Sequence, residues 1–276
     1  MKARSQSTRR QGGFTLVEMS VTLAAAGLLF AAVSTGQELI DQAKATKLIN
    51  DVKSTEMRIQ QYAQLKGRMP GDCNADGIID YAADANTAIL SLRSDIGNAA
   101  RSAEYAIITA VPEMPAVGTA ASSELMGCAL EGTVGSAPAV SDVAVSPTNA
   151  NVWINDMKLA GVISDSVPNR MFAKQVNEDF MFVGKVTDAG GATAVGADYN
   201  AIVIHNVPQW MARRLATAVN GQDAVANRSR VRLLDRVATD GTYAALWDST
   251  VASTPDNSRD AMTTVVYFFD RIPSTS

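Results

Sequence analysis

The chain has 276 residues, 47% of them hydrophobic and 19% charged, which is enough for one sizeable domain or two small ones with a genuine core. Its formal net charge is −4, but four of its 24 basic residues lie in the first thirteen positions, so the remainder carries 20 basic against 28 acidic residues, a net of −8. Because phosphate contacts need clustered Lys and Arg, this acidic body argues against general nucleic-acid binding.

Residues 14–33, FTLVEMSVTLAAAGLLFAAV, form an almost uninterrupted apolar run after the basic amino terminus. At helical rise, about 20 residues span roughly 30 Å, the thickness of the hydrocarbon core of a bilayer. The basic residues ahead of the run predict a cytoplasmic amino terminus and a body outside the cytoplasm. A secretory signal peptide would have a shorter apolar core, whereas this run continues directly into more helix-like sequence. A simple signal anchor stays open as an alternative.

The next segment, residues 36–67, contains no proline and is rich in Gln, Lys, Glu, Ala and Leu. Together with the apolar run, it predicts one helix over about residues 14–65, roughly 80 Å long at helical rise. Gly67 is a natural stop signal, and Pro70 lies just beyond it. The apolar residues of the segment recur at spacings of mostly three and four, which is one stripe of an amphipathic helix: Ala45, Leu48, Ile49, Val52, Ile59, Tyr62 and Ala63.

Glu18 is the one charged residue in the apolar run, and a glutamate in such a segment is functional by default. Its surroundings, GGFTLVEMSVTLAAAGLL, resemble the amino terminus of type IV pilins and type II secretion pseudopilins: a short basic leader ending in Gly, an aromatic residue, then TLVE. The resemblance implies that residues 1–13 are a leader peptide. A prepilin peptidase would cleave between Gly13 and Phe14, and Phe14 would become N-methylphenylalanine.

The same resemblance gives Glu18 a role in assembly. A buried carboxylate is costly unless it has a partner. In this family the glutamate neutralises the free amine of a neighbouring subunit, here that of Phe14, as subunits stack into a helical filament. The resemblance further implies a membrane-spanning or filament-core half-helix over residues 14–33, an amphipathic half over 34–66 and a globular head over 67–276.

The loop after the long helix, PGDCNADGIIDYAAD at residues 70–84, carries oxygen ligands at alternating positions. It resembles the start of a dockerin or EF-hand calcium loop, in which hard oxygen ligands wrap Ca²⁺ and a glycine permits the sharp turn. Position 12 of that pattern is Ala83 rather than a carboxylate, and an Asx-rich turn without metal stays open. The expected ligands are Asp72, Asn74, Asp76, the backbone carbonyl of Ile78, Asp80 and Asp84, which comes one residue late.

Cys73 and Cys128 are the only two cysteines. If the head lies outside the cytoplasm, an even and sparse count indicates one disulfide. Such a bond would close a loop of about 55 residues and contribute roughly 3–4 kcal/mol in the chain-entropy model. Two buried free thiols are the alternative.

The head reads as a mixture of helices and strands, which predicts an α+β, pilin-like fold with an antiparallel sheet against the carboxyl half of the long helix. Predicted helices cover residues 86–100, 151–162 and 208–221, the last with Pro208 at its start and Gly221 past its end. A stretch rich in small residues, 110–147, is expected to be an irregular loop. The predicted strands are residues 180–186, 201–207, 230–234, 242–247 and 263–269.

No pattern of catalytic residues occurs in the chain. His205 is its one histidine, and a lone histidine on a strand is usually structural. We interpret the arginines of the head as a solvated or interface face: Arg213, Arg214, Arg228, Arg230, Arg232 and Arg236. The chain is therefore expected not to be an enzyme.

The resemblance implies a structural subunit of a type IV pilus-like filament, and the large head favours a minor or specialised subunit. Its partners would be other pilin or pseudopilin subunits, the prepilin peptidase and the inner-membrane assembly platform. It would lie in the bacterial inner membrane before assembly, as a single-pass protein, and then in a periplasmic or cell-surface filament. A type II secretion pseudopilin and a membrane-tethered, calcium-dependent adhesin or binding module stay open as alternatives.

Overall fold

The computed structural model describes residues 15–73, 75–81, 83, 105, 128, 150–187, 197–221, 229–233, 243, 247 and 260–273. The chain divides into two compact units, Met1–Lys44 and Ala45–Ser276. A long helix followed by a four-stranded antiparallel sheet makes this an α+β fold, as predicted. The described elements are helices α1 (Leu16–Lys66), α2 (Val152–Leu159) and α3 (Asn169–Ala173), strands β1 (Met181–Thr187) and β2 (Asp198–Pro208), helix α4 (Gln209–Asn220), and strands β3 (Val231–Leu233) and β4 (Met262–Phe268).

The part of α1 that lies in the first unit carries its apolar side chains on the surface. Leu16, Leu28 and Phe30 are 85%, 73% and 85% exposed. Among the described residues, α1 is the helix that is long and apolar enough to cross a membrane, judged by length and composition. Because an apolar surface of this extent is unfavourable in water, it needs lipid or other protein around it.

The part of α1 that lies in the second unit is amphipathic. Its buried residues follow one another at spacings of three and four, which places them on one helical face. The helix ends where Gly67 adopts a left-handed φ of 73° and donates its N–H to the carbonyl of Ala63 at 2.8 Å. Both the stripe and the stop agree with the sequence prediction. The buried residues are Ala45, Leu48, Val52, Thr55, Ile59 and Tyr62.

The sheet has the strand order β1-β2-β4-β3, and every neighbouring pair is antiparallel. Six consecutive residues of β2, from 200 to 205, are buried, so both faces of the sheet are covered. The carboxyl half of α1 packs against β4, where Lys53 donates to the Tyr267 hydroxyl at 2.9 Å and that hydroxyl donates to Glu56 at 2.8 Å. This is the arrangement that the sequence predicted.

The described strands begin and end within a few residues of four predicted strands, and α2 and α4 match two predicted helices. Gly221 follows α4 with a φ of 88°, as a carboxyl-terminal stop should. The short helix α3 was not predicted; Pro168 directly before it is the available signal. The predicted helix 86–100 lies outside the described residues, as do the loop 110–147 except Cys128 and the strand 242–247 except Tyr243 and Trp247.

Candidate functional sites

The first candidate site is the start of α1. Gly13 and Phe14, between which cleavage is expected, lie outside the described residues. Glu18 is in the first turn of α1. Its Oε2 accepts a hydrogen bond from the backbone N–H of Thr15 at 3.0 Å and another from the Thr15 hydroxyl at 3.1 Å. In return, the N–H of Glu18 donates to Oγ1 of Thr15 at 3.2 Å.

This reciprocal arrangement is a capping box, in which a Thr and a Glu three residues later satisfy each other's unpaired backbone N–H groups. The amino end of a helix also favours negative charge, since its free N–H groups carry the positive end of the helix dipole. Glu18 therefore stabilises the first turn of its own helix. The T-x-x-E pattern at residues 15–18 could have been read from the sequence, and the sequence prediction overlooked it.

Along the described part of the first unit, residues 15–44, α1 carries many large apolar side chains on its surface. A carboxylate at one end and apolar side chains along the helix suit a lipid or helix-bundle environment with one polar contact at its end. The exposed large apolar residues of this surface are Leu16, Val17, Met19, Val21, Leu23, Leu28, Leu29, Phe30, Val33, Leu39 and Ile40.

The second candidate site is the loop that follows α1, and its described aspartates bind backbone groups of the same loop. Asp72 is fully buried, and its Oδ2 accepts from the N–H of Gly77 at 3.0 Å. Asp76 accepts from the N–H of Ile78 at 2.7 Å, and Asp80 accepts from the N–H of Cys73 at 2.7 Å. The sharp turn of the loop occurs at Gly77, which has a φ of 89°.

The carboxyl of Asp72 lies in an unfavourable position for a charge. Burial raises its pKa, the N–H groups of Gly77 and Ala75 lower it, and the negative charges of Asp76 and Asp80 raise it again. Within the described part of the chain, no three Asp, Glu, His or Cys side chains are gathered into a metal site. Asn74 and Asp84, two of the expected ligands, lie outside the described residues.

A buried carboxylate, Asp156 on α2, ties this loop to the end of α1. Its Oδ2 accepts from Arg68 at 2.9 Å, from the N–H of Gly71 at 2.9 Å and from the Tyr62 hydroxyl at 3.4 Å. Its Oδ1 accepts from the N–H of Cys128 at 2.8 Å. Sequence reasoning missed Asp156, because its partners are distant in the chain.

The two cysteines are bonded to each other, as the sequence analysis expected for an exported chain. The Cys73–Cys128 disulfide joins residues 55 positions apart. The disulfide lies beside the carboxylates of Asp80 and Asp156, because the N–H of Cys73 donates to Asp80 and the N–H of Cys128 donates to Asp156. The bond therefore attaches Cys128 to the loop after α1.

The polar residues of the sheet have structural partners. His205 is fully buried on β2, its Nδ1 lies 3.1 Å from the Thr264 hydroxyl, and its ring packs edge-on against Phe182. Arg232 corrects our interpretation of the arginines as a solvated face: it is buried on β3, with its guanidinium over the rings of Tyr243 and Phe268. Arg213 and Arg214 on α4 are exposed.

Comparison with known proteins adds one match, at the amino terminus. No curated protein and no solved structure matches the chain significantly. A family model described as the prokaryotic N-terminal methylation motif matches residues 8–34, which include Gly13, Phe14 and Glu18. This chain thus carries the prokaryotic N-terminal methylation motif, which is the prepilin-type signal of pilins and pseudopilins.

Proposed function

We propose that this protein is a structural, non-enzymatic subunit of a type IV pilus-like filament, of a minor or specialised kind. The observation that carries the proposal is the methylation motif at residues 8–34, which coincides with an exposed apolar helix and a carboxylate in its first turn. A membrane-anchored precursor and a pilin-like subunit both agree with that coincidence.

The proposed path begins in the inner membrane, with the amino terminus in the cytoplasm and the head outside. Prepilin peptidase removes residues 1–13 and the amine of Phe14 is methylated. The assembly platform then moves the apolar part of α1 from lipid into the core of a filament, where it packs against the same helix of other subunits. This transfer exchanges one apolar environment for another, so it has a small hydrophobic cost.

Glu18 supplies the polar contact of this assembly. Oε2 holds both hydrogen bonds from Thr15, but a carboxylate has about four acceptor positions on two oxygens. Glu18 can therefore cap its own helix and still accept the ammonium of Phe14 from a neighbouring subunit. A single buried ion pair in an apolar seam sets the axial register of the subunits, since every other register leaves a charge unpaired.

The decisive experiment compares Glu18→Gln with wild type in cells that assemble filaments. Glutamine keeps the capping box, because Gln also serves at that position, but it cannot pair with an ammonium as a charge. We expect normal membrane insertion and at least about tenfold less subunit in sheared filaments, because a buried ammonium without its counter-charge is strongly unfavourable. Glu38→Gln, at an exposed position outside the motif, is the matched control.

Two outcomes contradict the proposal. If Glu18→Gln is recovered in filaments at the level of wild type, the charge of Glu18 is not needed for assembly. Mass spectrometry of the membrane-extracted protein should find a chain that begins with N-methylated Phe14. A chain that retains residues 1–13 would contradict cleavage by the prepilin peptidase. A type II secretion pseudopilin carries the same motif. Finding the subunit in a periplasmic pseudopilus, and not in surface filaments, would identify this alternative.

A further inference from the structure

The loop after α1 has an unsatisfied buried carboxylate oxygen. Asp72 is fully buried, and its Oδ1 has no hydrogen-bond partner. Its other oxygen, Oδ2, accepts a hydrogen bond from the N–H of Gly77 at 3.0 Å, within the loop. Leaving a buried acceptor without a partner costs free energy, more so when it is charged.

The nearest guanidinium does not relieve this charge. Arg68 donates to the backbone carbonyl of Asp72 at 2.7 Å and to the carboxylate of Asp156 at 2.9 Å. Among the described residues, no Lys or Arg forms a salt bridge with the Asp72 side chain. The loop instead holds two further carboxylates, since Asp76 accepts from the N–H of Ile78 and Asp80 accepts from the N–H of Cys73, next to Asp72 in the chain. A cation bound in the loop would neutralise these carboxylates and supply the partner that Asp72 lacks.

The backbone of the loop is held in place from outside, by Asn200 on β2. The side-chain oxygen of Asn200 accepts from the N–H of Ile79 at 2.9 Å, and its amide donates to the carbonyl of Gly77 at 2.8 Å. The same amide also donates to Asp270 at 3.3 Å. Ile78 is thereby fixed between two anchored residues, one of them the fully buried Ile79, so the loop needs little reorganisation of its backbone to bind an ion.

We propose that residues 72–80 bind one calcium ion, with the carboxylates of Asp72, Asp76 and Asp80 and the backbone carbonyl of Ile78 as its protein ligands. Their spacing is that of positions 1, 5, 9 and 7 of a calcium loop, and the bond from the N–H of Gly77 to Asp72 closes the loop around the ion. Because the three carboxylates are not gathered into a metal site in this structure, they must turn from their present backbone partners towards the ion when it binds. Asn200 is a positioning residue.

The chemistry favours Ca²⁺ over Mg²⁺. All of the ligands are oxygens, and water completes the six to eight that Ca²⁺ accepts in flexible geometry, whereas Mg²⁺ demands a near-ideal octahedron at shorter distances. Ala83 stands where the bidentate carboxylate of an EF-hand would be. We therefore expect an affinity in the range of extracellular calcium modules, with a Kd of about 0.1–1 mM.

The test is the thermal stability of the full chain in detergent, with 10 mM CaCl₂, 10 mM MgCl₂ or EDTA. Calcium at about 10–100 times its Kd should raise the Tm by about 3–10 °C relative to EDTA, and magnesium by much less. Equilibrium dialysis with ⁴⁵Ca²⁺ should find one ion per chain. These readouts do not depend on filament assembly, so the proposed function can fail without affecting them.

Two variants and one control make the result specific. Asp76→Ala removes an oxygen ligand at an exposed position, so it should fold and lose the calcium-dependent rise in Tm, as should Asp72→Asn if it folds. Glu178→Gln, which removes an exposed charge paired with Lys174, should keep the full rise. Equal Tm values for wild type in calcium and EDTA, absence of bound ⁴⁵Ca²⁺, or an unchanged rise in Asp76→Ala would each overturn the proposal.

Discussion

At the scale of single residues, Asp156 organises the junction between α1, the loop after it and the disulfide. Its carboxylate is 1% exposed and accepts four hydrogen bonds. Burial raises the pKa of the Tyr62 hydroxyl and the charge of Asp156 raises it further, so Tyr62 stays neutral and continues to donate. A buried charge is tolerated when an opposite charge and enough donors surround it, and Asp156 meets both conditions.

We expect Asp156→Asn to lower the stability of the head by about 2–3 kcal/mol. The asparagine side chain has the same shape as the aspartate, but it leaves Arg68 without its counter-charge. Its NH₂ group, a donor, would also face the donors that now bind the carboxylate. The figure lies below the usual cost of breaking a buried pair, because the Arg68 side chain is 22% exposed and water screens part of the charge. The measurement is Tm, with an expected fall of about 5–10 °C; a variant as stable as Glu178→Gln would contradict this role.

At the scale of elements, the loop after α1 continues as an extra edge on the sheet. The N–H of Lys185 on β1 donates to the carbonyl of Tyr81 at 2.8 Å, and the N–H of Ala83 donates to the carbonyl of Lys185 at 2.8 Å. Such close approach requires Gly184, because a Cβ there would lie 2.2 Å from the Tyr81 carbonyl oxygen. The free edge of β1 is thereby covered at Lys185, which hinders pairing with other chains at that point.

Gly184→Ala should therefore push Tyr81 and Ala83 away from β1 and destabilise the head by about 1–3 kcal/mol, the usual cost of overpacking. Hydrogen exchange should show faster exchange at the Lys185 and Ala83 amides than in wild type. Gly36→Ala is the matched control, because a Cβ there meets nothing within 4 Å on a helix and alanine favours the helical state. Unchanged protection of both amides in Gly184→Ala would show that the loop does not depend on this contact.

At the scale of the whole molecule, the elements with strong periodicity were predictable and the contacts between distant residues were not. The stripe on α1 and the Pro208 and Gly221 signals of α4 depend on local physics, so the sequence analysis located both helices. The T-x-x-E pattern of the Thr15–Glu18 capping box is a local signal of the same kind. Processing at Gly13 stays a prediction, since that residue lies outside the described ones.

Tertiary contacts changed the interpretation of several charged residues. Arg232 appeared to be a surface charge, but stacking on two rings and hydrogen bonds to the carbonyls of Ser229 and Pro273 bury it. Asp156 had no distinguishing pattern around it, and the anchoring of the calcium-like loop by Asn200 joins residues more than 120 positions apart. Spacing along a chain cannot report such contacts, because they depend on how the elements pack.

The disulfide connects the architecture of the head to the compartment in which it folds. Cysteine pairs oxidise outside the cytoplasm and remain reduced inside it, so the Cys73–Cys128 bond agrees with a head that has crossed the membrane. Replacement of both cysteines by serine removes a closed loop of 55 residues, which should lower stability by about 3–4 kcal/mol. The Asp156 contact to the backbone of residue 128 can remain, because it does not involve the sulfur.

We therefore expect the Cys73→Ser, Cys128→Ser double variant to fold with a Tm lower by about 6–16 °C. Wild type treated with a reductant should match the double variant, whereas the double variant should not respond to reductant. If reduction leaves the Tm of wild type unchanged, the bond contributes nothing to the stability of the head. Alkylation of the membrane-inserted precursor before and after reduction then tests the topology: thiols that are free before reduction would place the head in a reducing compartment.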